Sequence, residues 1–250
     1  MELHEHIAAL RREGEKLAAV AANADLDAPV PTCPEWRLRD LLRHTSEVHR
    51  WATVHVAQGR TQPMDEQEEA AFFGQWPGDG ALLDWFRDGH AALVYALETA
   101  APDLLCWSFL PAPSPLAFWA RRQAHETAIH RADAEAAGGP ISPFPPDFAA
   151  DGIGELLDGF VSRPRDKLRA DPPRTLQIPA SDADMEWVVI VGPERAEVRH
   201  EHAGADCTVQ GSASDLYLLL WNRLPADGFA VRGDATLLDL WRRSVRIRWG

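Results

Sequence analysis

The 250 residues carry 38 acidic against 25 basic side chains, a formal net charge of −13, and 46% of them are hydrophobic. This is the balance of a soluble globular chain with apolar material for one large domain or two modest ones, and it disfavours nucleic acid and anionic membrane surfaces, polyanions that select basic faces. Cys33, Cys106 and Cys207 are odd in number, widely spaced and without a CxxC pair, as in a reducing cytoplasm; the N-terminus MELHEHIAALRREGEKL is charged from its start, unlike a signal peptide, and no apolar run could span a bilayer.

Along the chain, the first two-thirds reads as helix. Residues 2–24 place Ile7, Leu10, Leu17 and Val20 at helical spacing. DLDAPVPT breaks that pattern, and Thr32-Cys33-Pro34 reads as an N-cap followed by proline in a first turn. A second helix runs from Trp36 to about Gln58, with Leu38, Leu41, Val48 and Trp51 on its apolar side. GRTQPMDEQEEAAFFGQWPGDG reads as a long loop with room for a short helix, and loops of that length are often functional. Further helices cover about Ala81–Thr99 and Leu116–Ala137, and a fifth helical stretch starts at Asp147 and ends near Leu168. After RADPPRT the pattern turns to short strands: Thr175–Ile178, Trp187–Val191, Arg195–His200 and Cys207–Val209. Ser212–Arg223 is helical with Ser212 as N-cap and Asp215 in the first turn. Phe229–Arg232 reads as strand, Ala235–Arg242 as helix and Val245–Trp249 as a last strand. The expected architecture is α+β, with a helical bundle over residues 1–165 and a small α/β domain over 170–250.

The chemistry concentrates in FWARRQAHETAIHRADAE. Positions four apart lie only about 40° apart around a helix, so Glu126 and His130 can aim at one point. His125 and His130, five apart, diverge by about 140° and cannot share a metal, so the segment is no HExxH zincin. A histidine from a second helix would complete a three-ligand site with one tetrahedral position open to water or substrate. The plain alternative is a solvated stripe, in which Arg122, Glu126, His130 and Asp133 pair as helical neighbours. Against it, Trp119 and Ala137 share the stripe, and Asp133 is placed to accept the second imidazole N–H of His130. His44 and His49 lie at opposite edges of the second helix's apolar face, and periodicity does not choose between them.

VPTCPEWRLRDLLRHTSEVHRWA, FWARRQAHETAIHRADAE, QGSASDLYLLLWNR and VRGDATLLDLW together resemble the mycothiol-dependent maleylpyruvate isomerase family of the DinB-like metal-binding four-helix bundles. The resemblance spans nearly the whole chain in the right order. It implies a DinB-like bundle followed by a small C-terminal domain, and Zn2+ (or another divalent metal) on His44, Glu126 and His130, thus choosing His44 over His49. It further implies mycothiol, a low-molecular-weight thiol bearing a sugar and an inositol, as cosubstrate. Only the thiolate is a good nucleophile, and a metal would deprotonate the sulfur. The implied partners are that thiol and a small-molecule electrophile, acted on by cis–trans isomerisation or S-transfer, in a cytoplasmic monomer or homodimer.

Other candidates carry less. Arg223 matches a family position that reaches substrate and could bind a carboxylate bidentately; alternatively it is a cation at a helix C-terminus. Cys33 beside Pro34 reads as packing or capping rather than a nucleophile. His4-Glu5-His6 and His200-Glu201-His202 read as solvated turns. Of the ten tryptophans, Trp36, Trp51 and Trp119 could stack on sugar rings, and the rest read as core. Two competing functions use the same features: a non-catalytic metal-binding or interaction protein, and a zinc hydrolase needing no thiol.

Overall fold

The computed structural model describes residues 1–163, 167–201 and 204–247. The chain divides into two compact units, Met1–Ser142 and Pro143–Gly250.

The first unit is a bundle of four long helices: α1 (Leu3–Ala21), α2 (Leu38–Gln58), α4 (Asp79–Thr99) and α5 (Pro115–Ala136), with a short α3 (Glu66–Phe72) between the second and third. Local chemistry sets several of their ends. The Glu2 N–H donates to Glu5 Oε2 at 2.7 Å at the start of α1. At α5, Ser114 Oγ accepts the Ala117 N–H at 3.1 Å, with Pro115 in the first turn. Gly59, at φ 59°, supplies the left-handed residue that stops α2. The helix α1 packs on α5 and α4, and α2 on α4 and α5. At one level of the core Leu17, Leu38, Leu41, Leu42, Leu82 and Phe86 meet.

The polar segment Thr32–Trp36 does not begin α2. Instead Val30 N–H donates to the Trp36 carbonyl and Trp36 N–H to that of Cys33, folding the segment into turns pinned by a Pro29–Arg37 bridge. The cap of α2 is Arg37, whose N–H donates to Asp40 Oδ2 at 3.0 Å. The expected Thr32 cap is therefore wrong: backbone partners took over where a side-chain cap was read. Inside the long loop, Asp65 Oδ1 accepts the Glu68 N–H at 2.8 Å to start α3. Gly74 N–H donates to Glu47 Oε1 at 2.5 Å, tying the loop to α2.

In the second unit α6 (Pro146–Gly154) runs into a wider π-helical segment, Glu155–Val161. The helical stretch ends there and does not reach Leu168, as the sequence suggested. Among the described residues five strands follow: β1 (Arg174–Pro179), β2 (Glu186–Val191), β3 (Ala196–Arg199), β4 (Cys207–Gln210) and β5 (Ala230–Gly233), interrupted by α7 (Ala213–Leu220) and followed by α8 (Thr236–Ser244). Their order is β3-β2-β1-β4-β5, antiparallel except for the parallel β1–β4 pair. Leu176 and Ile178 of β1 are fully buried. The cap on α7 is Ser212, whose Oγ accepts the Asp215 N–H at 3.1 Å. Val245–Ile247 are not a strand, and the rest of that expected strand lies outside the described residues, as does His202 of the His200-Glu201-His202 cluster.

The helix α5 is buried along nearly its whole length although it is rich in charge. Its ion pairs are therefore structural. Glu13 of α1 and Arg131 of α5 are both solvent-inaccessible, and Arg131 Nε donates to Glu13 Oε2 at 2.9 Å, while its Nη1 serves Glu135 and the Ser142 carbonyl. Removing one partner of a buried pair leaves an uncompensated charge, which costs more than the pair itself contributes. Glu13→Ala should lower unfolding free energy by about 3 kcal/mol, the low end for a buried pair because Arg131 keeps Glu135; urea denaturation measures it.

Two histidines lie deep in the same bundle. His49 Nε2 meets Thr127 Oγ1 at 2.8 Å, and His90 Nε2 donates to the Leu10 carbonyl at 3.0 Å. His90 lies against Gly14, where a Cβ would come within 2.2 Å of its ring. Burial, then the nearby His90, push the His49 pKa well below its usual value; Arg50 and His130 add to this and Glu126 opposes it. Burial lowers His90 as well. A histidine neutral when folded but free to protonate when unfolded makes the unfolded chain bind more protons below its ordinary pKa. Stability should therefore fall as pH drops through about 6.5. His49→Gln should flatten that acid-side loss in denaturation curves taken between pH 8 and pH 5.

Candidate metal centre

The helices α2 and α5 bring three ligand atoms together. His44 Nε2 lies 3.3 Å and His130 Nε2 3.1 Å from the same oxygen, Glu126 Oε1. The three donors all lie within 4.8 Å of one another. Tetrahedral coordination at 2.0–2.2 Å separates ligand atoms by roughly 3.3–3.6 Å; the 3.3 Å spacing falls in that range and the 3.1 Å spacing just short of it. Glu126 and His130 are almost wholly buried, while the His44 side chain keeps 18% exposure. The cluster thus has one partly open edge.

Two of the three donors are braced from behind. His130 Nδ1 donates to Asp133 Oδ2 at 3.0 Å, which turns Nε2 toward Glu126. Arg122 Nη2 donates to the other Glu126 oxygen, Oε2, at 3.0 Å. Trp36 covers the imidazoles, its ring 4.9 Å from that of His44 and 5.9 Å from that of His130. Cys33 Sγ lies 3.6 Å from Asp133 Oδ2, so the turn before α2 contacts the same carboxylate. Arg122, Glu126, His130 and Asp133 are all buried, which excludes the solvated-stripe alternative.

The electrostatics are those of a cation site. Burial works to raise the Glu126 pKa, but His130, the His44 hydrogen bond and Arg122 together hold it well below the usual carboxylate range. Burial likewise disfavours a charged His130, yet Glu126 and Asp133 raise its pKa to about 9. Two carboxylates flanking one imidazole concentrate negative potential there, and a divalent cation would meet the same potential.

Other sequence candidates lie elsewhere. His49 faces Thr127, and His125 packs edge-on against His6 with ring centres 6.1 Å apart. Trp51 and Trp119 are buried in an aromatic cluster with His55 and Trp107, and Trp119 Nε1 donates to the Trp107 carbonyl at 2.8 Å. They are core and unavailable for stacking on a sugar; only Trp36 of the three borders the ligands. Arg223 in the second unit lies three residues beyond the end of α7, not on the helix expected to reach it, and donates through Nη1 to the Trp221 carbonyl at 2.7 Å. Sequence spacing pairs Arg122 with Glu126 as i,i+4 neighbours, but only as part of a solvated stripe; the pair is present and buried. No helix among the described residues is long and apolar enough to cross a membrane.

The two units have counterparts in known proteins. Residues 7–135 match the family model described as mycothiol maleylpyruvate isomerase N-terminal domain, and residues 147–240 match its C-terminal domain. No curated protein matches in sequence. Among solved structures, the mycothiol-dependent maleylpyruvate isomerase superposes with a TM-score of 0.65 at 15% identity, covering 92% of this chain and 93% of that one. A histidine-to-alanine mutant of such an isomerase gives a TM-score of 0.64 at the same identity and coverage. At that identity the superposition establishes the shared fold, a helical bundle followed by a small mixed-sheet domain. Because the two family models cover most of its length, the chain belongs to the mycothiol maleylpyruvate isomerase family of enzymes.

Proposed function

We propose that the protein is a metal- and mycothiol-dependent enzyme in which a low-molecular-weight thiolate attacks a small electrophilic acid, in the isomerisation its family is named for or in a related S-transfer. The observation that carries this reading is the convergence of His44, Glu126 and His130 on one point with one edge partly open. Two nitrogens and one carboxylate oxygen suit Zn2+, which would supply a Lewis acid able to lower the pKa of an incoming thiol.

The chain's own residues do the rest. Asp133 fixes the tautomer and orientation of His130, and Arg122 holds Glu126 in place. Trp36 shields the two imidazoles from water on one side. For isomerisation, the sulfur adds to one carbon of an activated cis double bond, forming a C–S bond while the π electrons move toward the conjugated carbonyl. Rotation about the new single bond and return of those electrons then expel the thiolate and leave the trans product. No atom is gained or lost. In S-transfer the same C–S bond forms while another group leaves. Arg223 is the proposed carboxylate-binding residue, a role that rests on its family position; a planar guanidinium fork suits that task better than an ammonium.

Purified protein should carry about one zinc per chain, the number a single three-ligand centre holds. His44→Ala and His130→Ala should strip it, whereas His49→Ala and His125→Ala should retain it, as read by elemental analysis. Retention of full occupancy by the His44→Ala/His130→Ala double variant would overturn the ligand assignment.

Turnover of a maleylpyruvate-type acid should require both zinc and mycothiol. Arg223→Lys should weaken turnover by roughly 10-fold or more through loss of bidentate binding while leaving zinc content unchanged. Turnover with zinc but without any thiol would favour the hydrolase alternative. Stoichiometric zinc with no turnover of any thiol-dependent substrate would favour the binding-protein alternative.

A further inference from the structure

We propose that Arg122 is a positioning residue that limits Glu126 to one coordinating oxygen and so keeps a coordination position free for an incoming ligand. The inference rests on the metal reading above and concerns how the centre is held open.

A carboxylate next to a divalent cation can bind through one oxygen or through both. In a three-ligand centre that choice decides how much room an exogenous ligand has, because a second Glu126 oxygen would occupy or crowd the open position. Here the two oxygens are segregated. Oε1 faces both imidazoles, at 3.1 and 3.3 Å. Oε2 accepts from Arg122 Nη2 at 3.0 Å on the opposite side. The i,i+4 spacing on a rigid helix fixes where the guanidinium can reach. Both side chains are nearly inaccessible, at 1% and 4% exposure, so water does not compete for Oε2. Swinging Oε2 toward the ligand point would break this buried, charge-assisted hydrogen bond, which costs more than losing an ordinary one. Asp133 does the same for His130. Arg122 also adds positive charge beside the site, which favours an anionic ligand such as a thiolate over a neutral one.

Cobalt(II) tests this, since four-coordinate Co2+ absorbs far more strongly in the visible than five- or six-coordinate Co2+. Wild-type protein loaded with Co2+ should show the strong band. Arg122→Gln should show a band weakened severalfold, and its affinity for the metal should shift by roughly 10- to 100-fold, the usual effect of removing a group that holds a ligand. Arg122→Lys, which can still donate to Oε2, should restore much of the band. A residue that merely stabilised the fold would shift the melting temperature and leave the band of the folded variant intact. An unchanged spectrum in folded Arg122→Gln overturns the inference while leaving the metal reading standing. Failure of wild-type protein to bind Co2+ at all overturns both. If Arg122→Gln does not fold, X-ray absorption on zinc-loaded wild-type protein decides: a single Glu126 oxygen at bonding distance supports the inference, and two overturn it.

Discussion

A charged helix placed where water cannot reach it is the constraint around which the first unit is organised. Arg122, His125, Glu126, His130, Arg131 and Asp133 are all buried on α5. Each ion removed from water loses several kcal/mol of solvation unless the protein replaces it. The replacement is internal: Glu13 and Glu135 for Arg131, Glu126 for Arg122, and Asp133 and Glu126 for His130. These pairs contribute little net stability against an apolar helix of equal volume. What they do is fix side chains in single positions, since any alternative rotamer would strand a charge in the core. A metal centre needs that restraint.

The same logic explains the division of labour between the two helices that supply ligands. Glu126 and His130 lie on α5 with their supports Arg122 and Asp133 on that same helix, so most of the centre's geometry is set by helical spacing alone. His44 arrives from α2 with partial exposure, the rings of Trp36 and His130 packed against it. The cluster is thus held tightly on the α5 side and more exposed on the α2 side.

Much of this was legible before any coordinates, for physical reasons that differ residue by residue. The pairing of Glu126 with His130, and the placing of Asp133 behind it, follow from 3.6 residues per turn. The choice between His44 and His49 does not follow from period, because both lie at edges of the apolar face and both turn inward. They differ in level along α5: His44 meets Glu126, whereas His49 meets Thr127, one residue further on and about 100° around the helix. Only packing of α2 against α5 sets that level, and the family motif substituted for it. The N-cap at Thr32 failed because a proline-bearing polar run is equally compatible with a cap and with a turn; the bridge from Pro29 to Arg37, a contact over eight positions, decided for the turn. The helix ending at Val161 and the missing C-terminal strand over Val245–Ile247 are boundary errors of the same kind, in segments whose local propensity had no competitor visible in sequence.

Burial was the property hardest to read, and it changes the meaning of residues whose spacing was already plain. An Arg–Glu pair four apart on a solvated face contributes a few tenths of a kcal/mol and holds neither side chain in place. The same pair without water is a clamp, because a charge-assisted hydrogen bond out of reach of solvent is costly to break. Spacing alone therefore allowed both the inert stripe and the working centre, with identical residues at identical positions. The aromatic cluster excludes the solvated stripe: Trp119, with Trp51 and Trp107 packed around it, is dry at one end of the stripe on α5, and Asp133 is fully buried about three turns beyond Arg122. With both ends of the stripe in the core, the charged residues between them are held in the interior as well, paired with one another, and Glu126 and His130 face His44 of α2.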